Sequence, residues 1–376
     1  MNDCTIKIEK AIKYLGVLLD FRLTWDSHIK HVTSRTGLIM NMYAQVAKKN
    51  WGLGSNAMSI IYDCVFLPVI TYACGSWGWA SQKVHSKRKL ISSQRRALLL
   101  ITRSFRTVSN TCLQVLAKKL PIDLTIREKE KFHHIKWGKE ITVNTAVYNQ
   151  EDIEWNYPYR DTLFPTGQGI RLERDLGDSC IDVFTDGSKI EGNVGCSFVV
   201  YNNNNEVNNE IYKLDNMCSV FQAELFAIGK AIEFINRNYT NISATVHTDS
   251  LSAYNILLSN KLHPLAESIR NDIRLSDCKI HLNWVRAHQG LEGNERADQL
   301  AKTATTINND RITYSKLSQQ SLRKLLLQDT IRIWQDMWDR NSDHITYSFI
   351  PHLDNYINFN WYMLDFYTSQ IMSNHD

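Results

Sequence analysis

Four carboxylates, set at intervals along an alternating pattern of strands and helices, constrain this chain more than any other feature. They are Asp186 in TDGS, Glu224 in QAEL, Asp249 in HTDS, and Asp298 at the end of WVRAHQGLEGNERAD. The hydrophobic pattern around them predicts strands Ile181–Thr185, Gly195–Tyr201 and Glu210–Leu214, with a polar Asn202–Asn205 turn, then a helix from Ser219 to Asn236. Strand Ala244–His247, helices Ser250–Leu258 and Pro264–Ser276, strand Lys279–Val285 and helix Glu292–Thr303 complete the run. That order makes residues 179–307 an α/β domain.

Taken singly, each acid has a plain structural reading. Asp186 ends a buried strand before Gly187-Ser188, a common turn sequence, and Glu224 on its apolar helix faces either solvent or the strand ends. Asp249 could cap the helix starting at Ser250, and Asp298 could be a solvated acid on the last helix. Taken together and in this order, they form an oxygen ligand set for divalent cations, which require hard donors. Gln222 and Asn294 either orient such a cluster, contact a substrate or cap helices locally. His247 reads as core.

TDGS, QAEL, TDS and WVRAHQGLEGNERADQLAKTA, in that order across roughly residues 180–305, resemble the type 1 ribonuclease H family. The resemblance implies a mixed five-stranded sheet with flanking helices, and two Mg²⁺ ions, or Mn²⁺ in their place. Asp186 would bridge the two ions. Asp298 would hold the ion that activates water, while Glu224 and Asp249 would hold the one at the leaving 3′ oxygen. His288, in the loop AHQGLEG, would shuttle a proton or help release product, and Gly187, Ser188, Gln222 and Asn294 would meet substrate. The implied partner is an RNA–DNA hybrid, cut on its RNA strand and told from DNA by its 2′-hydroxyls. One departure stands out: between Asn260 and Lys279 there is room for a single helix, with no basic protrusion to grip the hybrid.

Binding would then fall to the rest of the chain. Residues 1–140 carry 23 Lys and Arg against 9 Asp and Glu, a balance of +14, whereas residues 141–376 stand at −10. The basic part reads as strand Lys13–Asp20 and helices Asp26–Lys49, Ser55–Ala73 and Lys87–Arg103, the last with Arg95 and Arg96 on a basic side suited to nucleic acid. Trp77 and Trp79 either stack on bases or fill the core. Residues 141–178 read as a linker and residues 308–376 as a helical accessory tail, with a helix from Ser318 to Arg340.

KYLGVLLDFRLTWDSHI, LPVITYACGSWGW, SQRRALLLITRSFRTVSNTCLQVLA and IWQDMWDRNSDHITYSFIP resemble the region after the palm in reverse transcriptases of Jockey-like non-long-terminal-repeat retrotransposons. The likeness implies that residues 1–140 are a mostly helical, thumb-like remnant and that the chain is truncated on both sides. The polymerase Y/F-A-D-D box is absent, so polymerase activity is not expected. Eight singly scattered cysteines fit a reduced, structural role, with Cys64 and Cys74 in core. With no signal peptide or membrane-length apolar run, the expectation is an intracellular protein, cytoplasmic or nuclear. The competing readings are a catalytically idle nucleic-acid-binding remnant and another nuclease or strand-transfer enzyme on the same fold.

Overall fold

The computed structural model describes residues 9–47, 52–155, 180–259, 261–308, 312–358 and 365–373. The chain divides into two compact units, Met1–Tyr148 with Lys324–Asp376, and Asn149–Arg323. Most of the segment expected as a separate tail thus belongs with the basic N-terminal part. Part of the expected linker is structured, while residues 156–178 of it lie outside the described residues.

In the first unit, the stretch expected as one strand is a hairpin of β1 (Ala11–Tyr14) and β2 (Val17–Asp20). Leu15 and Gly16 turn it, both with positive φ (44° and 83°), as a tight hairpin turn requires. Next come helices α1 (Asp26–Val46), α2 (Ser55–Ile61), α3 (Leu67–Ile70), α4 (Cys74–Trp77), α5 (Val84–Thr102), α6 (Asn110–Leu116) and α7 (Ile122–Lys136), then a hairpin of β3 (Ile141–Val143) and β4 (Ala146–Tyr148). The expected continuous helix Ser55–Ala73 is broken. A π-turn at Tyr62–Phe66 sits just before Pro68, whose ring has no amide to donate to the preceding turn, and Ala73 adopts a left-handed φ of 52°.

The C-terminal helices close this core: Trp334, Trp338 and Leu353 join Ile29, Phe66 and Leu90 in one buried cluster. Trp77 is fully buried there, which rules it out as a base-stacking platform, whereas Trp79 is half exposed under the Lys83 ammonium. Cys74 is buried as expected, but Cys64 is exposed. No single described helix is long and apolar enough to cross a membrane. One bent pair, Ser55–Ile70 with Cys74–Gln82, has a suitable composition, and its Met58, Phe66, Ile70 and Trp77 are core residues here.

Gln94 on α5 is the polar keystone of the unit. Its buried amide donates to Tyr62 Oη (2.8 Å) and the Leu120 carbonyl (2.7 Å), and its oxygen accepts from Gln114 Nε2 (3.0 Å) and the Ile122 amide (3.1 Å). Gln94→Ala strands all four partners, so chemical denaturation should show a loss of about 3 kcal/mol or more. A midpoint unchanged from wild type would show that water replaces the side chain.

The second unit is built on a six-stranded sheet in the order β10-β9-β6-β7-β8-β11. Before it comes a short strand, β5 (Ile153–Glu154); the sheet then starts with the meander β6 (Ile181–Ile190), β7 (Asn193–Asn202) and β8 (Asn205–Leu214). After α8 (Val220–Asn238), strand β9 (Ser243–Thr248) lies parallel to β6, then α9 (Leu251–Leu258) and α10 (Pro264–Arg274) lead to β10 (Lys279–Trp284), parallel to β9. Helix α11 (Glu292–Thr305) precedes β11 (Ile312–Tyr314), which adds a sixth strand parallel to β8 beyond the expected five, and β12 (Leu317–Ser318), which pairs with β5. The meander strands are longer than expected because paired positive-φ residues, Glu191-Gly192 and Asn203-Asn204, turn the chain in two residues. Strand alternation sends Val183, Phe198 and Val200 to α8 and Phe184 and Val199 to Ala297 of α11. The sheet is thus covered on both faces, by α8 on one and α11 on the other.

Candidate metal centre

Asp186 does not end its strand, as the sequence suggested. β6 continues four residues past it, pairing Asp186 with Ser197 and Gly187 with Cys196, so the carboxylate rises from the middle of a long strand. Parallel pairing of β6 with β9 ends at Thr185 and Thr248, which sets Asp186 beside Asp249 at the point where β9 stops. Glu224 comes from the first turns of α8, which Ser219 and Gln222 hold in a reciprocal capping box.

Asp186, Glu224 and Asp249 each offer an oxygen, and those atoms all lie within 4.8 Å of one another. Asp186 and Glu224 are each only 7% exposed, and Glu224 Oε2 is buried with no hydrogen-bond partner among the described residues. Burial, then the Asp249 and Asp298 charges, push the Asp186 carboxyl up to about 7; burial and the neighbours Asp186 and Asp249 raise Glu224 well above its ordinary value. The Gly187 backbone N–H works against the rise by bonding both carboxylates. Buried like charges with an unsatisfied oxygen are a donor set that a hard divalent cation fits.

Asp298 stands outside that closest trio. It is one turn from Lys302 on α11, whose ammonium lies 2.7 Å from its Oδ2, yet it is near enough to Asp186 to raise its pKa. Asn294 is buried and donates from Nδ2 to Asp249 Oδ2 at 3.1 Å, so it orients a carboxylate, one of the roles its position allowed. Trp284 Nε1 donates to the Asp249 carbonyl at 3.1 Å, a support that nothing in the sequence pattern marked.

Gln222 corrects an expectation. It is fully buried, and its amide donates to the Glu154 carboxylate and to the Lys316 carbonyl (3.0 Å) while its oxygen accepts from the Ser219 amide (3.0 Å), so it does not reach a substrate. Its role is to tie the start of α8 to β5 and to the segment after α11. Glu154 was invisible as a contributor because it lies in the stretch that read as linker. Gly187 is buried and Ser188 half-buried beside the cluster. His288 is exposed, in the loop before α11, with a left-handed φ of 56° and no hydrogen bond or ion pair among the described residues. His247 is half-buried rather than core: it stacks on Phe184 at 4.5 Å and bonds Asp182 (3.0 Å) and Asn283 (3.1 Å) across the sheet. In the first unit, Arg95 is bound to Asn110 Oδ1 (2.7 Å) and the Arg106 carbonyl, whereas Arg96 is exposed.

Residues 178–306 match the family model RNase H. The chain is 31% identical over 155 residues to the Retrovirus-related Pol polyprotein from type-1 retrotransposable element R1 4 of Nasonia vitripennis, covering 41% of this chain and 39% of that protein. It is 27% identical over 192 residues to the Putative 115 kDa protein in type-1 retrotransposable element R1DM of Drosophila melanogaster, covering 51% of this chain and 18% of that protein. It is 38% identical over 119 residues to the Probable RNA-directed DNA polymerase from transposon X-element of Drosophila melanogaster, covering 30% and 12%. The chain therefore spans less than two fifths of the length of these curated relatives. Residues 178–306 are a ribonuclease H domain, and the relatives of this chain include Pol polyproteins of R1 retrotransposable elements and an RNA-directed DNA polymerase of the X-element, all from non-long-terminal-repeat retrotransposons.

Proposed function

We propose that the ribonuclease H domain hydrolyses the RNA strand of RNA–DNA hybrids, with divalent cations held by Asp186, Glu224, Asp249 and Asp298. The observation that carries this reading is the convergence of three carboxylates from separate elements to within 4.8 Å. Mg²⁺, or Mn²⁺ in its place, would supply Lewis-acid stabilisation of the phosphoryl oxygen and an activated water, and two ions match the charge of the four acids. Asp298 is free to join the trio because its partner Lys302 is half exposed, and a solvated pair of this kind holds by only about 0–1 kcal/mol.

Asn294 donates to Asp249 Oδ2 and so orients that carboxylate. Asn294→Ala is expected to lower cleavage roughly 10–100-fold with the fold intact. Wild-type rates in that variant would remove Asn294 from the site. His288, on an exposed loop, is assigned the proton traffic at the product oxygen, and Gly187 and Ser188 are assigned to the substrate edge. Residues 1–140 are assigned as the thumb-like binding part, and no polymerase chemistry is assigned to the chain.

The test is incubation of the purified chain and Mg²⁺ with end-labelled RNA–DNA hybrid, RNA–RNA duplex and DNA–DNA duplex. Cutting of the RNA strand in the hybrid alone, stopped by a chelator, is the expected result. Intact hybrid after incubation with folded protein that still binds it would replace this reading with that of an idle binding remnant.

A further inference from the structure

Between α1 and α5 runs a groove of about 400 Å³ that no acidic side chain lines. We propose that it binds the sugar–phosphate backbone of a nucleic-acid strand. On α5, Arg88, Ser92 and Arg96 succeed one another at four-residue spacing and so form a single ridge along the groove, with Lys89 and Ser93 on the next. Thr33 and Ser34 of α1 face them.

The charges in this groove are not all equal. Lys89 is spent on Asp26, 2.6 Å away, and Ser93 on the hydroxyl of Thr36 at 2.8 Å. Arg88 and Arg96, by contrast, are exposed and make no hydrogen bond or ion pair among the described residues, and the same holds for the hydroxyls of Ser34 and Ser92. Arg96 lies across α1 at Gly37, where an added Cβ would be 2.7 Å from its Nη1, so the glycine leaves room for the guanidinium beside the helix. Two free guanidinium forks with two free hydroxyls between and opposite them make a donor set for phosphate oxygens.

Spacing suits a strand. Eight residues of helix separate the backbone positions of Arg88 and Arg96 by about 12 Å, a span over which a strand, repeating its phosphates about every 3.4 Å of helix axis, offers each fork a phosphate of its own. The lining holds no aromatic ring or apolar side chain on which a base could rest, so the contacts position a strand without reading its sequence. The expected pair Arg95 and Arg96 is thereby replaced by Arg88 and Arg96, because Arg95 is held by α6 and the loop before it.

This inference rests on the assignment of residues 1–140 as the binding part, which it narrows to one groove, and its test does not depend on cleavage. In an Asp186→Asn background, anisotropy of a labelled RNA–DNA hybrid is titrated with the full chain across a range of KCl concentrations, for the parent, for Arg88→Ala with Arg96→Ala, and for the charge-matched Lys10→Ala with Lys13→Ala. Loss of the two arginines is expected to flatten the slope of log affinity against log salt by about 2, with a clearly smaller change in the lysine pair. An unchanged slope, or an equal fall in both double variants, overturns the groove as a site and leaves only the general field of the basic unit. Cleavage of the hybrid, measured separately with Asp186 intact, reports on the nuclease reading whichever way the slope falls.

Discussion

Asp186→Asn should cut hybrid cleavage about 10³-fold and at the same time make the metal-free protein more stable. The two effects have one cause. Asp186 faces the charges of Glu224, Asp249 and Asp298 in a largely buried position, an arrangement useful for holding cations and unfavourable without them. Removing one charge from the middle of the cluster deletes a ligand, and a loss of about 10³-fold in cleavage, or about 4 kcal/mol of transition-state free energy, is expected. In chelator the same substitution relieves repulsion, so the melting temperature should rise.

The pH dependence gives the sign independently. An acid whose pKa is raised to about 7 on folding binds its proton more tightly in the folded state than in the unfolded one. Stability of the metal-free wild type should therefore fall as pH increases from the ordinary carboxylate range to about 7, and that part of the fall should be missing in Asp186→Asn. Adding Mg²⁺ should restore the wild type, by about 2.7 kcal/mol at a hundredfold excess over its dissociation constant, and leave the variant unmoved. Calorimetric scans in chelator and in Mg²⁺ across that pH range decide the matter: equal melting temperatures for the two proteins in chelator would mean the carboxylates do not repel one another, and the cluster would lose its case as a cation site.

What could be read in the sequence was what rests on local patterns and ordered motifs. The helices from Val220 to Asn238 and from Glu292 to Thr305 were legible from apolar periodicity, and the three acids that converge, Asp186, Glu224 and Asp249, from their flanking residues. What escaped depends on partners distant in the chain. Nothing local says that β6 runs on past Asp186, because the strand is prolonged by its pairing with β7. Gln222 looked available for substrate until Glu154, 68 residues earlier, proved to occupy it. The strand Ile312–Tyr314 is too short to announce itself and exists by leaning on β8. In the basic unit the pattern identified the helix carrying Arg95 and Arg96 but not which guanidinium is spoken for, since Arg95 is held by Asn110 of α6 and by the Arg106 carbonyl in the loop before it.

Gly187→Ala, set beside Gly195→Ala, should separate the site from the fold. A Cβ at this position would lie 2.6 Å from the Glu224 amide nitrogen and 2.9 Å from the Ala223 carbonyl carbon, both backbone atoms of α8 that cannot swing aside. Either β6 or α8 must move, and with it the distance between Asp186 and Glu224; overpacking of this kind costs about 1–3 kcal/mol, a fall of roughly 2–12 °C for a domain of this size. Gly195 tests whether any crowded contact would do the same, because its added Cβ would meet the backbone of Ala304 and Thr305 at 2.7 Å, at the other end of α11 from Asn294. Gly195→Ala should lose comparable stability and keep most of its Mg²⁺-induced stabilisation, while Gly187→Ala should lose both. Gly229→Ala, whose Cβ would come no closer than 3.4 Å to Ile269, should lose neither. If Gly187→Ala melted lower yet kept its full response to Mg²⁺, the close approach of strand to helix would be a packing detail, and the carboxylates would owe their geometry to something else.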